Sequence, residues 1–174
     1  MARTKKKTDR LNPQDTAHSL ARLLPCYALL PAAILTDWLT KTWALQIVGG
    51  YQSLIDGVLR ISVIRQFGGG LGSWLELPAW LQHATVLLSL AALFAIAYIT
   101  PQRNQIRHCG LACLAGALFS NGGERFLRGF VVDFIEMPLL PIFNVADLWA
   151  LIGVCLILLD LLIMDDNPPS PTPE

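Results

Sequence analysis

Between Pro78 and Thr100 the chain carries an apolar run, TVLLSLAALFAIAY at its centre, without one charged side chain. At 1.5 Å of rise per helical residue, roughly 20 such residues cross a hydrocarbon layer of about 30 Å. Three further apolar blocks accompany it. Leu23 to Val48 is interrupted only by Asp37 and Lys41, Cys109 to Asn121 is short and rich in Gly, Ala and Ser, and Val145 to Met164 is the fourth. Small residues like those of the third block suit a helix packed tightly between others. With 53% hydrophobic and 15% charged residues, against roughly 25% charged in soluble domains, the chain lacks the polar surface to cover a soluble core. Thirteen basic and thirteen acidic side chains cancel, which excludes nucleic-acid binding through bulk positive charge. The expectation is an all-α membrane protein with four transmembrane helices.

Orientation follows from basic residues in the short loops. Arg3, Lys5, Lys6, Lys7, Arg10 and Arg22 precede the first span, and Arg103 and Arg107 lie on the same side between the second and third. Arg60, Arg65, Arg125 and Arg128 lie on the other. Both termini are therefore expected in the cytoplasm, with segments 49–77 and 122–144 extracytoplasmic. Residues 1–22 read as a basic cytoplasmic tail, flexible over 1–15, residues 23–165 as the membrane domain, and residues 166–174, in the proline-rich DDNPPSPTPE, as a disordered tail. The first apolar block is too long, and too interrupted by charge, for a cleaved signal, and it lacks a small-residue cleavage site. An uncleaved helix is expected.

Cys26, Cys109, Cys113 and Cys155 fall in or beside the spans and form no CxxC pair. They read as small apolar helix residues, with no structural disulfide expected. His18, His83 and His108 are scattered, so neither a metal site nor a cofactor is expected.

A charge at mid-bilayer costs roughly 2.5–3.5 kcal/mol even on insertion scales, so polar residues near the spans are informative. Asp37 and Lys41 lie four apart with acid before base, the favourable helical ion-pair order. They are either a self-neutralising pair or part of a polar site between helices. The richest stretch is GALFSNGGERFLRGFVVDFIEMPLLPIFNVAD, residues 116–147. Gly122 and Gly123 are positioned to end the third helix early. Val131 to Ile135 reads as extended chain because β-branched residues dominate it. Asn144 is an N-cap for the fourth helix, with Asp147 at its third position. Asp147 is then a capping acid and Asp133 a loop acid, or the two share one proton across a water molecule. Like charges held close separate their titrations, leaving one acid protonated and the other a base.

These residues resemble the lipoprotein signal peptidases, also called signal peptidase II. Asp37-Trp-Leu-Thr-Lys41 is similar to the family's D-x-x-T-K, Arg125-Phe-Leu-Arg-Gly129-Phe-Val-Val-Asp133-Phe134 to its R-x-x-x-G-x-V-x-D-F, and Phe143-Asn144-Val145-Ala146-Asp147 to its F-N-x-A-D. The resemblance covers about residues 23–165. It implies an aspartic endopeptidase of the bacterial cytoplasmic membrane, with a catalytic dyad of Asp133 and Asp147 at the extracytoplasmic face. Asn121, Arg125 and Asn144 would order the site, supported by Asp37 and Lys41. The implied partners are prolipoproteins bearing a diacylglyceryl-modified cysteine, cleaved just before it, and membrane lipids. No subunit partner is required, and a monomer is expected. A small extracytoplasmic β-sheet would come from residues 50–76, between helices 1 and 2, with Val58 to Ile64 as one strand.

The chain departs from the family pattern twice. Where N-x-G-x-x-F is usual it has Gln66-Phe67-Gly68-Gly69-Gly70-Leu71, with Gln66 and Gly68 at the matching positions. Where N-x-x-D-R is usual it has Asn121-Gly122-Gly123-Glu124-Arg125. These substitutions motivate an alternative, a paralogue that binds lipidated membrane peptides without cutting them. A small transporter is disfavoured, since the second span offers only His83 and Ser89 as polar lining.

Overall fold

The computed structural model describes residues 13–47, 51–67 and 78–165. The two tails proposed from composition lie largely, and Gly68 wholly, outside the described residues. Four helices and three strands follow in the order α1 (Pro13–Ile47), β1 (Tyr51–Ile55), β2 (Leu59–Gln66), α2 (Ala79–Ile99), α3 (Gln105–Arg128), β3 (Val131–Glu136) and α4 (Val145–Asp165). Among the described residues, three helical stretches are long and apolar enough to cross a membrane: Ala21–Gln46, Ala79–Ile99 and Val145–Ile163. Within the described residues the first helix is already present at Pro13, well before the apolar run at Leu23, so composition marks where α1 becomes apolar and not its extent.

At 24 residues α3 is as long as a membrane span, but it is not among these three apolar stretches. It packs against the other three helices. Glycines set the spacing. A Cβ on Gly110 would stand 2.8 Å from the Gly153 carbonyl oxygen of α4, and one on Gly116 would stand 2.7 Å from the Leu30 carbonyl oxygen of α1. Gly110→Ala is therefore expected to destabilise the protein by about 1–3 kcal/mol through overpacking. Gly123→Ala, whose Cβ would meet nothing within 4 Å, should stabilise the helix by about 0.5–1 kcal/mol. Thermal unfolding in detergent compares the two, and equal shifts would contradict the packing argument.

The expected early end of α3 at Gly122-Gly123 is not found. Gly122 is buried, facing Val86 of α2, and the helix continues to Arg128. It stops at Gly129, which takes the left-handed conformation (φ 77°) and donates its N–H to the Arg125 carbonyl at 2.8 Å. This is a glycine helix stop, at Gly129 and not at the Gly122-Gly123 pair that composition singles out.

The cysteines also depart from expectation. Cys26 of α1 and Cys109 of α3 form a disulfide, while Cys113 and Cys155 are free. The reason is register. Cys26 and Cys109 are 83 residues apart, as are Asp37 and Ser120, which share a hydrogen bond. Ala33 against Gly116 and Lys41 against Glu124 repeat that offset. Thus α1 and α3 lie parallel and side by side along one seam, and the two cysteines occupy one rung of it.

The sheet is antiparallel in the order β1-β2-β3. Asp56 and Gly57 turn the β1–β2 hairpin, with Gly57 at φ 75°. The third strand comes from between α3 and α4, so the sheet is not confined to the segment between helices 1 and 2. It pairs Ile61 with Ile135 and Ile64 with Asp133, with an irregularity between these pairs. Ile61 and Phe134 pack on Ala44 of α1, flanked by Val145 of α4. That contact seats β3 against two helices and buries Val131 to Phe134 on both faces.

Candidate active site

The structure brings the two acids to one asparagine. Asp133 sits mid-strand in β3, only 4% exposed. Asp147 lies in the first turn of α4 and is exposed. Asn144 caps that helix: its Oδ1 accepts the Asp147 N–H at 3.1 Å, and Asp147 Oδ2 accepts the Asn144 N–H at 3.0 Å. This reciprocal pair satisfies two backbone donors at once, as in a capping box. The capping arrangement read from the sequence is therefore present. The same Asn144 side chain donates from Nδ2 to Asp133 Oδ1 at 2.6 Å. One fully buried asparagine thus fixes both carboxylates.

Asn121 of α3 extends the network. Its Nδ2 donates to Asp147 Oδ1 at 3.1 Å, and its Oδ1 accepts from Asn144 Nδ2 at 3.1 Å and from Lys41 Nζ at 2.8 Å. An ammonium has donors and no acceptor, so Lys41 requires the oxygen of Asn121 to face it. That leaves the amide nitrogen for Asp147. Lys41 therefore determines which way Asn121 points.

Lys41 is 4% exposed and Asp37 is fully buried. Lys41 Nζ stands 2.7 Å from Asp37 Oδ2 and 2.9 Å from Glu124 Oε2. Of the two readings of Asp37 and Lys41, self-neutralising pair or polar site, both hold: they pair with each other and join the interhelical network. Glu124 also accepts from Arg128 at 3.0 Å and from the Val132 N–H at 3.3 Å, next to Asp133. Its extra methylene, relative to the aspartate of the family pattern, goes into reaching this strand.

Sequence reasoning missed two partners of Asp37. The Ser120 hydroxyl donates to Asp37 Oδ2 at 2.6 Å, and the Ala146 N–H donates to Oδ1 at 2.9 Å. The available signal was Ser120 next to Asn121 on a helix of small residues. Arg125 is half-buried, and its buried Nε makes no hydrogen bond among the described residues. Gln66 ends β2, paired with Val131, and lies outside the hydrogen-bonded set among the described residues.

Burial raises the Asp133 carboxyl from an ordinary value near 3.8 to about 6. The hydrogen bond from Asn144 opposes this shift, the negative charge of Asp147 adds to it, and the positive charges of Lys41 and Arg125 oppose it. Asp147 and Asn121 open onto a cavity of about 480 Å³ between α2, α3 and α4, otherwise lined by residues such as Ser89, Leu93, Leu114 and Leu118. An acid held partly protonated, a second acid beside it and an apolar cleft can bind an apolar peptide and activate water on its carbonyl.

Comparison with known proteins agrees in sequence and in fold. The lipoprotein signal peptidase of Thermosynechococcus vestitus is 32% identical over 133 residues, covering 75% of this chain and 84% of that protein. That of Histophilus somni is 28% identical over 155 residues, covering 84% and 94%. A bacterial membrane enzyme of solved structure superposes with a TM-score of 0.72 at 27% identity, covering 79% of this chain and 92% of the other. A second superposes at 0.71 with 24% identity, covering 86% and 94%. The family model described as Signal peptidase (SPase) II matches residues 29–163, and on that match the chain belongs to the signal peptidase II family.

Proposed function

We propose that the chain is an aspartic endopeptidase, with Asp133 and Asp147 as its dyad. Its substrates are prolipoproteins carrying a diacylglyceryl-modified cysteine, cut immediately before that cysteine. Removal of signal peptides from prolipoproteins is the activity that family membership supports. The observation that carries the dyad is Asn144, which donates to Asp133 at 2.6 Å and exchanges two hydrogen bonds with Asp147. Both acids are thereby held to one small group beside an apolar cleft.

The roles follow from the partners. Both Asp147 oxygens accept N–H donors, from Asn144 and Asn121, as an ionised carboxylate does. Asp147 takes a proton from water as its oxygen attacks the scissile carbonyl. Asp133, raised to about 6, carries the proton in the reactive form, hydrogen-bonds the carbonyl oxygen and stabilises the tetrahedral intermediate. The leaving nitrogen collects a proton from the dyad as the carbon–nitrogen bond breaks. Asn121 and Asn144 order the acids, and Lys41, held by Asp37 and Glu124, orders Asn121. Arg125 and Gln66, with Gly68, contact the substrate.

All four helices cross the bacterial cytoplasmic membrane in this reading, α3 shielded by its neighbours. Both termini are cytoplasmic, the sheet and dyad are extracytoplasmic, lipid surrounds α2 and α4, and the enzyme works as a monomer. The charge bias between loops supports this topology.

Purified protein in detergent, given a lipidated precursor and its unlipidated counterpart, should cut only the first, at the modified cysteine. Equal cutting of both would overturn the substrate assignment. The proton on Asp133 adds a pH dependence. Raising pH through about 6 removes it, so kcat/KM of the free enzyme should fall on the alkaline side of that value. A profile that instead rises steadily from pH 5 to 8 would contradict Asp133 as the acid.

A further inference from the structure

The segment between the two acids contains a backbone conformation that neither the capping nor the dyad explains. Leu139 has φ 69° and is, among the described residues, the non-glycine residue with positive φ. The Leu140 N–H donates to the Met137 carbonyl at 3.3 Å, closing a turn with Pro138 at its second position and Leu139 at its third. That third position calls for glycine or asparagine when φ is positive, and a side chain there strains the backbone. Leu139 is nonetheless fully exposed, and Leu140 is 54% exposed. Among the described residues, no packing compensates for the strain.

The turn is held firmly where it is. The Phe134 and Ile135 N–H groups donate to the Phe143 carbonyl at 3.1 and 2.8 Å, and the Phe143 N–H donates back to Ile135 at 3.1 Å. These bonds pinch the loop at its base and leave its tip projecting. From Met137 to Phe143 the sequence is MPLLPIF, without a charge or a hydrogen-bonding side chain. Immediately beyond Asn144 begins the membrane-crossing stretch Val145–Ile163. The tip is therefore continuous with a surface that already meets lipid, and it lies within a few residues of the bilayer boundary.

We propose that Leu139 and Leu140 form an apolar wedge that enters the acyl-chain region of the bilayer beside the N-terminus of α4. The wedge ties the loop joining Asp133 to Asp147 to the membrane surface. In water, an exposed leucine on a strained turn brings no return. In hydrocarbon it removes apolar area from water, and the left-handed turn is what aims it outward. The occupant is bilayer lipid, and the inference stands without the peptidase reading.

The test uses the full chain in nanodiscs of phosphatidylcholine and phosphatidylglycerol. Leu139→Cys carries a nitroxide in a Cys155→Ser background, the Cys113 thiol being buried. Collision with oxygen should exceed collision with a water-soluble nickel complex several-fold. The same label at Gln102, in the exposed loop between α2 and α3, should give the reverse. A label at Leu140 repeats the measurement without altering the left-handed residue. Nickel access at 139 and 140 equal to that at 102 would overturn the proposal. So would nickel access that disappears only when lipidated precursor is added, which would assign the tip to the substrate. Unchanged access on adding precursor supports the bilayer as the occupant.

Discussion

Asp133→Asn and Asp147→Asn are each expected to lower processing of a lipidated precursor by roughly 10²–10⁴-fold, the range that a positioned acid or base contributes. Both variants should fold, because the amide matches the carboxyl in size. Their secondary effects should differ. Asn144 donates to Asp133, and an asparagine oxygen at 133 still accepts that bond. Asp147 accepts the Asn144 N–H, so the variant keeps this cap only by turning its amide nitrogen toward Asn121, itself a donor. Asp147→Asn is therefore the less stable of the two, by about 0.5–2 kcal/mol, the usual loss for a disturbed helix cap.

The pH dependence of stability separates them further. A carboxyl raised on folding contributes stability that is fully present below its unfolded value, near 3.8, and is lost as pH rises through about 6. Asp133→Asn escapes that loss and should gain on the unmodified protein above pH 6. Thermal unfolding from pH 4 to 8, run beside the cleavage assay, checks both points. Full processing by either variant would remove the dyad from the mechanism.

Lys41→Met is expected to be the most damaging substitution to stability, by about 3–5 kcal/mol, because it leaves the fully buried Asp37 charge unpaired while Glu124 keeps Arg128. Lys41 stands between Asp37 at 2.7 Å and Glu124 at 2.9 Å, and both carboxylates have little access to water. Asp37→Asn combined with Lys41→Met should recover part of the loss, since the acid that loses its charge partner is neutralised. Activity should not recover with it. The methionine no longer holds the Asn121 oxygen, and the amide facing Asp147 is then free to rotate. Unfolding in detergent, with kcat measured on the surviving folded fraction, distinguishes the two effects. A double variant as active as the unmodified protein would show that Lys41 does not act through Asn121.

What was legible in the sequence was whatever one segment decides alone. The apolar runs of α1, α2 and α4 needed no partner to be read, and Asn144 with Asp147 is a local cap between residues three positions apart. Features that depend on register were hidden. The pairing of Cys26 with Cys109 follows only from the parallel seam of α1 and α3, with its 83-residue offset, and no local pattern encodes that offset. Gly122-Gly123 looked like a helix end, but Gly122 gives Val86 room on the facing helix. The strand of Asp133 was readable as extended chain, while its place in the sheet depended on β2, far earlier in the chain. The site residues were legible mainly as types at familiar spacings, and their wiring through Asn121 and Ser120 was not.

The hydrogen bonds that start α4 are also those that hold the two acids. The amide of Ala146 is bound by Asp37, that of Asp147 by Asn144, and that of Asn144 by Asp147. Fraying of this single turn releases both acids and the contact with α1 together. In the proposed mechanism, opening of the helix end and loss of the dyad arrangement are then one local unfolding event. Amide exchange at residues 144, 146 and 147 would therefore report the fraction of molecules competent to react.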